Sequence, residues 1–452
     1  MFQNNKNIIC AISTPTGKGA ISIIRVTGND CLKICNKIFN KKIPENKPNT
    51  IHKNKILHNQ QIIDEVMVSF FKNPKSYTGE DMIEIYCHGS LFIQNKIMQI
   101  LIEHGINTAK PGEFTMRAFL NNKLNLTESE AVCDLINSEN EAAHKLAMRQ
   151  LRGGVSNEIK KLRQELIDFV SLIELEIDFS EEDVEFADRK KLIILLENIE
   201  LKINKLIKSF KYGNAIKEGI PIVIAGKPNV GKSTLLNCFL NEEKAITSSI
   251  AGTTRDVIED KININGYNIR FFDTAGIRKA KGKIEKIGIT KSLEKIEQAE
   301  LIIYMIDTTS KKSIIEEEIK NIKTKHKDKK IIIVGNKIDL NQNNNNKSNN
   351  NIINISAKNK KNIEEIINKI TDYIKSKNAE HNVVISNTRH FECLSLASNN
   401  ITSAKQGIKN NLSQDLISID IRSILSNLGE IAGEVSNEDI LSNIFSNFCI
   451  GK

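Results

Sequence analysis

The chain has 452 residues, of which 40% are hydrophobic and 26% charged, and its formal net charge is +9. This composition is typical of a folded protein of about three domains and excludes a largely disordered chain. No apolar run approaches the roughly 20 residues of a membrane helix, and the amino terminus shows no secretory leader, so we expect a cytoplasmic protein without membrane contact. The eight cysteines lack the spacing of a zinc site, and the basic residues are spread along the chain.

The first 217 residues divide into two patterns. Strand-like runs at 8–13, 20–26 and 82–88 predict a mixed α and β domain over residues 1–120. Apolar residues then recur at helical spacing over residues 121–217. Near the start of that region Thr127 and Glu130 resemble a capping box.

The second half begins with strands that alternate with helices over residues 218–378, which predicts a doubly wound α/β domain. Residues 379–452 are helical again but too short to form a core alone, so we expect them to pack with the helices of 121–217. The Asn-rich run 341–351 predicts a surface loop.

A phosphate-binding loop follows the apolar run 220–225. It reads G-x-x-x-x-G-K-S from Gly226 to Ser233 and leads into a helical pattern. In such a loop backbone N–H groups converge on the phosphates, Lys232 contacts the β and γ oxygens, and Ser233 ligates magnesium. The motif by itself fits an ATPase or a GTPase.

Three further segments complete the nucleotide site, and two of them select guanine. A strand predicted after an Asn265-Gly266 hairpin turn ends in Asp273-Thr274-Ala275-Gly276, which can hold magnesium through water and contact the γ-phosphate. The carboxylate of Asp339, in Asn336-Lys337-Ile-Asp339, can accept two hydrogen bonds from guanine N1 and its amine. Ser356-Ala357-Lys358 would offer a backbone N–H to guanine O6. The predicted GTP-binding residues are Asn229, Val230, Gly231, Lys232, Ser233, Thr234, Ser248, Ser249, Ile250, Ala251, Gly252, Thr253, Thr254, Asp273, Thr274, Ala275, Gly276, Asn336, Lys337, Asp339, Ser356, Ala357 and Lys358.

The hydrolytic step needs an unusual agent, because Ile277 stands where Ras-like proteins carry a water-orienting Gln. The loop 245–252 is long enough to wrap over the nucleotide, and Asn229 lies within the phosphate loop. Loop carbonyls and the Asn oxygen could hold a monovalent cation in place of an arginine finger. Arg255 is the rival candidate for that finger, with a surface role as its alternative.

Four segments outside the α/β domain carry a family resemblance. They are Thr14-Pro-Thr-Gly-Lys-Gly-Ala with Arg25, Tyr77-Thr-Gly-Glu-Asp, the run Pro111-Gly-Glu-Phe-Thr-Met-Arg-Ala-Phe-Leu-Asn-Asn-Lys123, and the terminal Phe448-Cys-Ile-Gly-Lys452. With them the chain closely resembles the MnmE (TrmE) family of tRNA modification GTPases over almost its whole length. The resemblance implies an α+β folate-binding domain, an α-helical bundle domain and an inserted Ras-like doubly wound α/β G domain.

The resemblance also implies ligands for particular residues. Potassium would be held by Asn229, Ser248, Ile250 and Thr253, and magnesium by Ser233 and Thr254. Glu285 would orient the attacking water through a second water, with a solvated helix charge as the alternative. The tetrahydrofolate residues would be Arg25, Glu84, Lys123 and Lys452. Strand alternation places Arg25 on one face with Ile21 and Ile23, an apolar environment where an internal Glu could also be its partner.

The implied activity is potassium-dependent GTP hydrolysis triggered by G-domain dimerisation. As a homodimer, and in a heterotetramer with the FAD-bound MnmG protein, the chain would install an aminomethyl or carboxymethylaminomethyl group on C5 of tRNA uridine 34. The carbon would come from 5-formyl- or methylene-tetrahydrofolate. A ribosome-assembly or regulatory GTPase and a folate-dependent transferase with a regulatory G domain remain alternatives. Cys449 could be a nucleophile or redox group in the folate pocket, or only a small apolar side chain. His88 could take part in catalysis, or only pack or hydrogen-bond.

Overall fold

A computed structural model describes residues 7–178, 189–242, 260–272, 297–340, 352–379, 383–435, 438–446 and 448–451. The chain forms two compact units. The first unit comprises Met1–Ile136, Met148–Glu200 and Cys393–Lys452, and the second comprises Asn137–Ala147 and Leu201–Glu392. Within the described ranges no helix has the length and apolar character needed to span a membrane. The division into domains at residues 120, 217 and 378 stays a prediction.

The strands and helices have the following bounds. The strands are β1 Ile9–Ile12, β2 Ile21–Thr27, β3 Ile51–His58, β4 Gln61–Phe71, β5 Met82–His88, β6 Asn107–Thr108, β7 Ile220–Gly226, β8 Asp260–Ile264, β9 Tyr267–Phe272, β10 Leu301–Asp307, β11 Lys330–Asn336 and β12 Ile352–Asn354. The helices are α1 Cys31–Cys35, α2 Leu91–Glu103, α3 Glu113–Leu120, α4 Leu126–Ile136, α5 Glu141–Leu151, α6 Gly154–Asp178, α7 Arg189–Glu218, α8 Lys232–Glu242, α9 Lys312–Lys325, α10 Ile363–Ala379, α11 Thr388–Lys409, α12 Gln414–Ala432 and α13 Glu438–Ser446.

The first unit contains a sheet of order β3-β4-β5-β2-β1-β6. Its strands are antiparallel except for the pair β1 and β6. Along β2 the side chains of Ser22, Ile24 and Val26 are buried in the main core. On the other face Ile21 is exposed, Ile23 and Arg25 are half-buried and Thr27 is buried. Helix α2 covers the core face with Ile97, Ile100 and Leu101.

The hairpin of β3 and β4 was absent from the sequence expectations. Lys and Asn residues interrupt the alternation in β3, which is an edge strand of the sheet. Its turn uses Asn59 and Gln60, both with positive φ (48° and 64°), and Asn-Gln is a weaker hairpin signal than Asn-Gly.

Helix α4 is capped two residues earlier than the sequence suggested. Asn125 Oδ1 accepts a hydrogen bond from the backbone N–H of Glu128, and Glu128 Oε2 accepts one from the N–H of Asn125, both at 2.9 Å. The capping box is therefore Asn125 with Glu128, and the prediction of Thr127 with Glu130 is wrong. Asn caps a helix as well as Thr does, and Thr127 lies inside the first turn.

The carboxyl-terminal helices pack as expected. Helix α12 lies along α6, and Arg163 of α6 donates from Nε to the carbonyl of Leu425 at 3.3 Å. Arg163 also pairs with Glu434 just beyond α12. The apolar stripe of α12, with Ile417, Ile421, Ile424 and Leu428 buried, explains this association.

The second unit contains the predicted doubly wound α/β fold. Its sheet has the order β12-β11-β10-β7-β9-β8, and all pairs are parallel except β8 with β9. These parallel strands are nearly continuous apolar runs because helices cover both faces. The strand order reverses between β10, β7 and β9, so the carboxyl ends of these strands form the edge where ligands bind in such folds.

Candidate functional site

The phosphate loop lies at this edge of the second unit. Strand β7 ends at Gly226 and α8 begins at Lys232, so the predicted order of strand, turn and helix is confirmed, with the helix starting two residues before the expected Thr234. Gly226 has φ 148°, and a Cβ there would lie 2.4 Å from the carbonyl oxygen of Met305. Gly231 has φ 101°, and its Cβ would lie 2.2 Å from Asn336 Nδ2. Both positions therefore need glycine on grounds of conformation and of space.

Lys232 lies in the centre of this loop. Its Nζ donates to the carbonyl oxygens of Gly226 at 2.9 Å and Lys227 at 2.7 Å. Burial lowers the pKa of Lys232, since an ammonium in partly dry surroundings lacks solvation. An anionic phosphate beside this group would restore that solvation, so the loop holds its cation ready for a phosphate.

Asn336 joins the phosphate loop to the loop that carries Ser356, Ala357 and Lys358. Its Nδ2 donates to the carbonyl of Val230 at 2.8 Å, and its Oδ1 accepts from the N–H of Ala357 at 2.9 Å. The side chain is buried, so both bonds form away from water. Helix α8 adds a third connection, because Cys238 Sγ donates to the carbonyl of Ala357 at 3.0 Å.

The predicted guanine-binding carboxylate is also fixed. Asp339 Oδ1 accepts a 2.6 Å hydrogen bond from Ser356 Oγ, while the rest of the exposed Asp339 side chain is free to meet a ligand. The hydrogen bond from Ser356 is the first cause of the lowered pKa of Asp339. The group is therefore ionised at neutral pH and can accept two N–H donors, as guanine recognition requires.

Two residues at the end of β10 were missed by sequence reasoning. Thr308 donates from N at 3.0 Å and from Oγ1 at 2.8 Å to the carbonyl of Asn336. Asp307 pairs with Lys337 at 2.5 Å. Burial alone would raise the pKa of Asp307, but the hydrogen bonds from Lys337 and Thr309 outweigh it and lower that pKa. The signal available was an apolar run that ends in a carboxylate, at a strand that neighbours the phosphate-loop strand.

The structure describes only some of the residues predicted to bind metal ions or to lie in the loops around the phosphates. Asn229 is exposed with φ 62°, and Ser233 and Thr234 lie in the first turn of α8. Among the described residues no group of three or more His, Cys, Asp or Glu side chains could hold a metal ion. The remaining predicted residues of this site lie outside the described residues: Ser248, Ser249, Ile250, Ala251, Gly252, Thr253, Thr254, Asp273, Thr274, Ala275, Gly276 and Glu285.

Arg25 and Glu84 of the first unit are cross-strand neighbours on β2 and β5. Arg25 Nε lies 2.7 Å from Glu84 Oε1, and Tyr86 donates to Glu84 Oε2 at 2.6 Å. The internal ion pair that the sequence left open is thus present. Ile21 shares the face of Arg25, as predicted, but is 65% exposed. The same face is buried at Thr27 and at Ala11, the cross-strand neighbour of Arg25, and the Arg25 side chain is 19% exposed. The predicted apolar environment is therefore present around Arg25 but not at Ile21.

The carboxyl-terminal segment also contacts Arg25. The carbonyl oxygen of Gly451 accepts from Ser13 Oγ at 3.2 Å and from Arg25 Nη1 at 3.5 Å. The Arg25 guanidinium also lies over the Tyr77 ring, 5.6 Å from its centroid. Lys123 makes a different contact, from Nζ to the carbonyl of Pro74 at 3.1 Å, and Lys452 lies outside the described residues.

His88 and Cys449 are both exposed. His88 Nδ1 lies 2.7 Å from Oδ1 of the buried Asp64, whose Oδ2 accepts from the His88 N–H at 2.9 Å. His88 therefore hydrogen-bonds but does not pack, because its side chain is 68% exposed. Cys449 contributes its carbonyl oxygen to the N–H of Gly112 at 3.4 Å.

Comparison with known proteins covers both units. Residues 8–123 match the family described as GTP-binding protein TrmE N-terminus, and residues 126–449 match the MnmE helical domain. A tRNA modification GTPase MnmE of Flavobacterium johnsoniae is 50% identical over 99% of this chain and 100% of its own length. That of Bacteroides thetaiotaomicron is 46% identical over 99% and 100%.

Among solved structures, Aquifex aeolicus Era bound to GDP·AlF4- is 29% identical over 40% of this chain and 66% of that chain. Its TM-score of 0.25 is an overall likeness too weak to define the fold. The family matches and the full-length identities do not depend on it. With 50% identity over its length and family matches in both halves, the chain belongs to the MnmE family of tRNA modification GTPases.

Proposed function

We propose that this chain is a potassium-activated GTPase that modifies C5 of the wobble uridine of tRNA together with an FAD-bound MnmG partner. The observation that carries the GTPase part is the side chain of Asn336, which ties the phosphate loop at Val230 to the guanine loop at Ala357. A single buried amide thus aligns the phosphate and base subsites before a nucleotide arrives.

Guanine selection rests on Asp339. Its carboxylate faces solvent and is held by Ser356, so it can accept from guanine N1 and the exocyclic amine. Adenine has no such pair of donors, and an ionised carboxylate opposite it would remain unpaired. Lys232 and the backbone of α8 supply the phosphate subsite, with Ser233 and Thr254 as magnesium ligands. Hydrolysis of GTP follows as the reaction at this site.

Potassium activation is supported by what the phosphate loop offers. Asn229 lies exposed in the loop with φ 62°, so its side-chain oxygen is accessible as a ligand. With Ser248, Ile250 and Thr253 it would bind potassium beside the phosphates when two G domains pair. The cation would supply charge stabilisation during phosphoryl transfer, and Glu285 would orient the water.

The one-carbon part of the proposal rests on the first unit. Arg25, Glu84 and the carboxyl-terminal Gly451 meet on the face of the sheet opposite the side chains of Ile24 and Val26, where Tyr77 and Tyr86 add aromatic surface. A tetrahydrofolate offers an aromatic body and a carboxylate tail to such a surface, and Lys123 and Lys452 would add positive charge. The chain would act as a homodimer, in a heterotetramer with MnmG, in the cytoplasm, with three domains bounded near residues 120, 217 and 378.

The potassium claim is tested by steady-state GTPase assays of the purified protein in potassium and in sodium salts at equal ionic strength. We expect hydrolysis to be at least about tenfold faster in potassium, and Asn229→Ala to lose that difference. Equal rates in the two salts would sink the claim.

The tRNA claim is tested by mass spectrometry of tRNA nucleosides from a deletion strain. The strain should lack the C5-modified wobble uridine, and the wild-type gene should restore it. A Lys232→Ala gene should fail to do so, because Lys232 is the phosphate-binding cation of the loop. Unchanged uridine 34 with defective ribosomal particles would support the ribosome-assembly alternative instead.

A further inference from the structure

The side chain of Asp307 occupies a defined place beside the guanine subsite. It is the last residue of β10, at the carboxyl edge of the sheet, and is in register with Asn336 at the end of β11. Its Oδ2 lies 2.5 Å from Lys337 Nζ, and the two side chains are 19% and 31% exposed. The pair is therefore partly shielded from water, where a charge interaction is stronger than on an open surface.

Lys337 is held at both ends. Its backbone has φ 70° and lies between the buried Asn336 and the guanine-binding Asp339. Its ammonium is held on the neighbouring strand by Asp307. The four-carbon stem consequently runs from the end of β11 to the end of β10 and is fixed there, whereas an unheld lysine would sample many rotamers.

We propose that Asp307 is a positioning residue for the guanine base. It would hold the Lys337 side chain in place, so that the lysine stem offers the base an apolar surface near Asp339 before the nucleotide binds. This inference rests on the proposed assignment of Asp339 and Lys337 to guanine binding. A side chain ordered before the ligand arrives loses no rotamer freedom on binding, so the ion pair increases affinity without touching the nucleotide.

Asp307 makes a second contact, which would explain the residue if its role were purely structural. Its Oδ1 accepts from Thr309 N at 3.0 Å and from Thr309 Oγ1 at 2.6 Å, which orders the turn after β10. The two roles involve different oxygens and different partners, so they can be separated by substitution.

The test is the KM of the full-length protein for GTP and for ITP. Asp307→Asn keeps an acceptor for Thr309 but removes the charge that holds Lys337. We expect KM for both nucleotides to rise by about fivefold with kcat unchanged, the size typical of a partly shielded ion pair. The rise should be equal for GTP and ITP, because the lysine stem would meet the ring and not the exocyclic amine that ITP lacks.

Two control variants assign the effect to Lys337. Thr309→Val removes only the hydroxyl contact with Asp307 and should leave KM as in the wild type. Lys337→Met retains a flexible apolar stem without charge, and in that background Asp307→Asn should change KM no further. The inference is overturned by an unchanged KM in Asp307→Asn, by an equal rise in Thr309→Val, or by a full additional effect in the Lys337→Met background.

The failure of this inference can be told apart from failure of the proposed function. A wild-type protein that does not prefer GTP to ATP would contradict the guanine assignment itself and with it the inference. A wild-type preference for GTP together with an unchanged KM in Asp307→Asn would overturn only the role of Asp307.

Discussion

Ser356 controls the charge of its neighbour Asp339 through a single 2.6 Å hydrogen bond. That bond lowers the pKa of Asp339, so the carboxylate stays ionised as pH falls toward the ordinary value of about 4. Binding that depends on the ionised form is present above the folded pKa and is lost as pH falls through it.

Replacing Ser356 by Ala should therefore raise the pKa of Asp339 and move the acid limb of GDP binding to higher pH. The shift is measured with a fluorescent GDP analogue between neutral pH and about pH 4, with circular dichroism as a check that the fold persists. Ser376→Ala serves as the matched control, since Ser376 is exposed and donates only to the carbonyl of Tyr373. An acid limb that coincides with that of the wild type would contradict the role of Ser356.

At the scale of elements, the hairpin of β8 and β9 carries a contact at its turn. Asn265 and Gly266 have φ 49° and 82°, the left-handed pair that favours Asn-Gly, and the sequence predicted this turn. The carbonyl of Gly266 accepts from the N–H of Ala142 in the first turn of α5 at 3.1 Å. Asn265 Nδ2 donates to Thr371 Oγ1 of α10 at 3.0 Å, so the turn is packed on two helices of the second unit.

Gly266→Ala should lower the free energy of unfolding of the second unit by more than the cost of placing an alanine at a positive φ. Its Cβ would lie 3.0 Å from Glu141 Oε2 and 3.2 Å from Glu141 Cβ. Gly105→Ala is the matched control, because Gly105 has φ 86° and no atom within 4 Å of its Cβ position. We expect about 1 kcal/mol for Gly105→Ala and about 2 kcal/mol for Gly266→Ala in urea unfolding. Equal losses of unfolding free energy in the two variants would mean that the contact of the new Cβ with Glu141 of α5 adds no cost.

At the scale of the whole chain, the two ends of the sequence meet in the first unit. Phe448 is 7% exposed, and its ring lies 5.4 Å from that of Phe445 in a cluster with Met116, Leu126 and Leu441. Gly112 has a Cβ position 2.4 Å from the carbonyl of Phe445, so the α3 segment and α13 are closely packed. The carboxyl-terminal motif is therefore part of the core of this unit as well as of its candidate folate site.

Truncation of Phe448 to Ala should lower the free energy of unfolding of the first unit by about 3 kcal/mol, the usual cost of removing a buried aromatic ring. Cys449→Ser should change it by less than about 0.5 kcal/mol, because Cys449 is exposed and contributes through its backbone. Thermal and urea denaturation of the two variants measure the difference. A stable Phe448→Ala protein would show that the terminal segment is peripheral.

The sequence by itself determined the local features that depend on near neighbours in the chain. The phosphate loop, the helix that begins at Lys232, the Asn-Gly hairpin and the strands before Asn336 and Ser356 follow from glycine conformations, helix starts and apolar runs. The same local signals failed at the start of α4 and at the turn of β3 and β4, where Asn stood in for the commoner residues.

Only the tertiary structure decided which distant side chains meet. Arg25 and Glu84 are 59 residues apart, Arg25 and Gly451 are 426 apart, and Asp307 and Lys337 are 30 apart. Strand register and the packing of the carboxyl-terminal segment bring them together, and neither is encoded in a short motif. The face on which Arg25 lies was predictable from alternation, but its contacts with Glu84, Tyr77 and Gly451 depended on strand register and on the packing of distant segments.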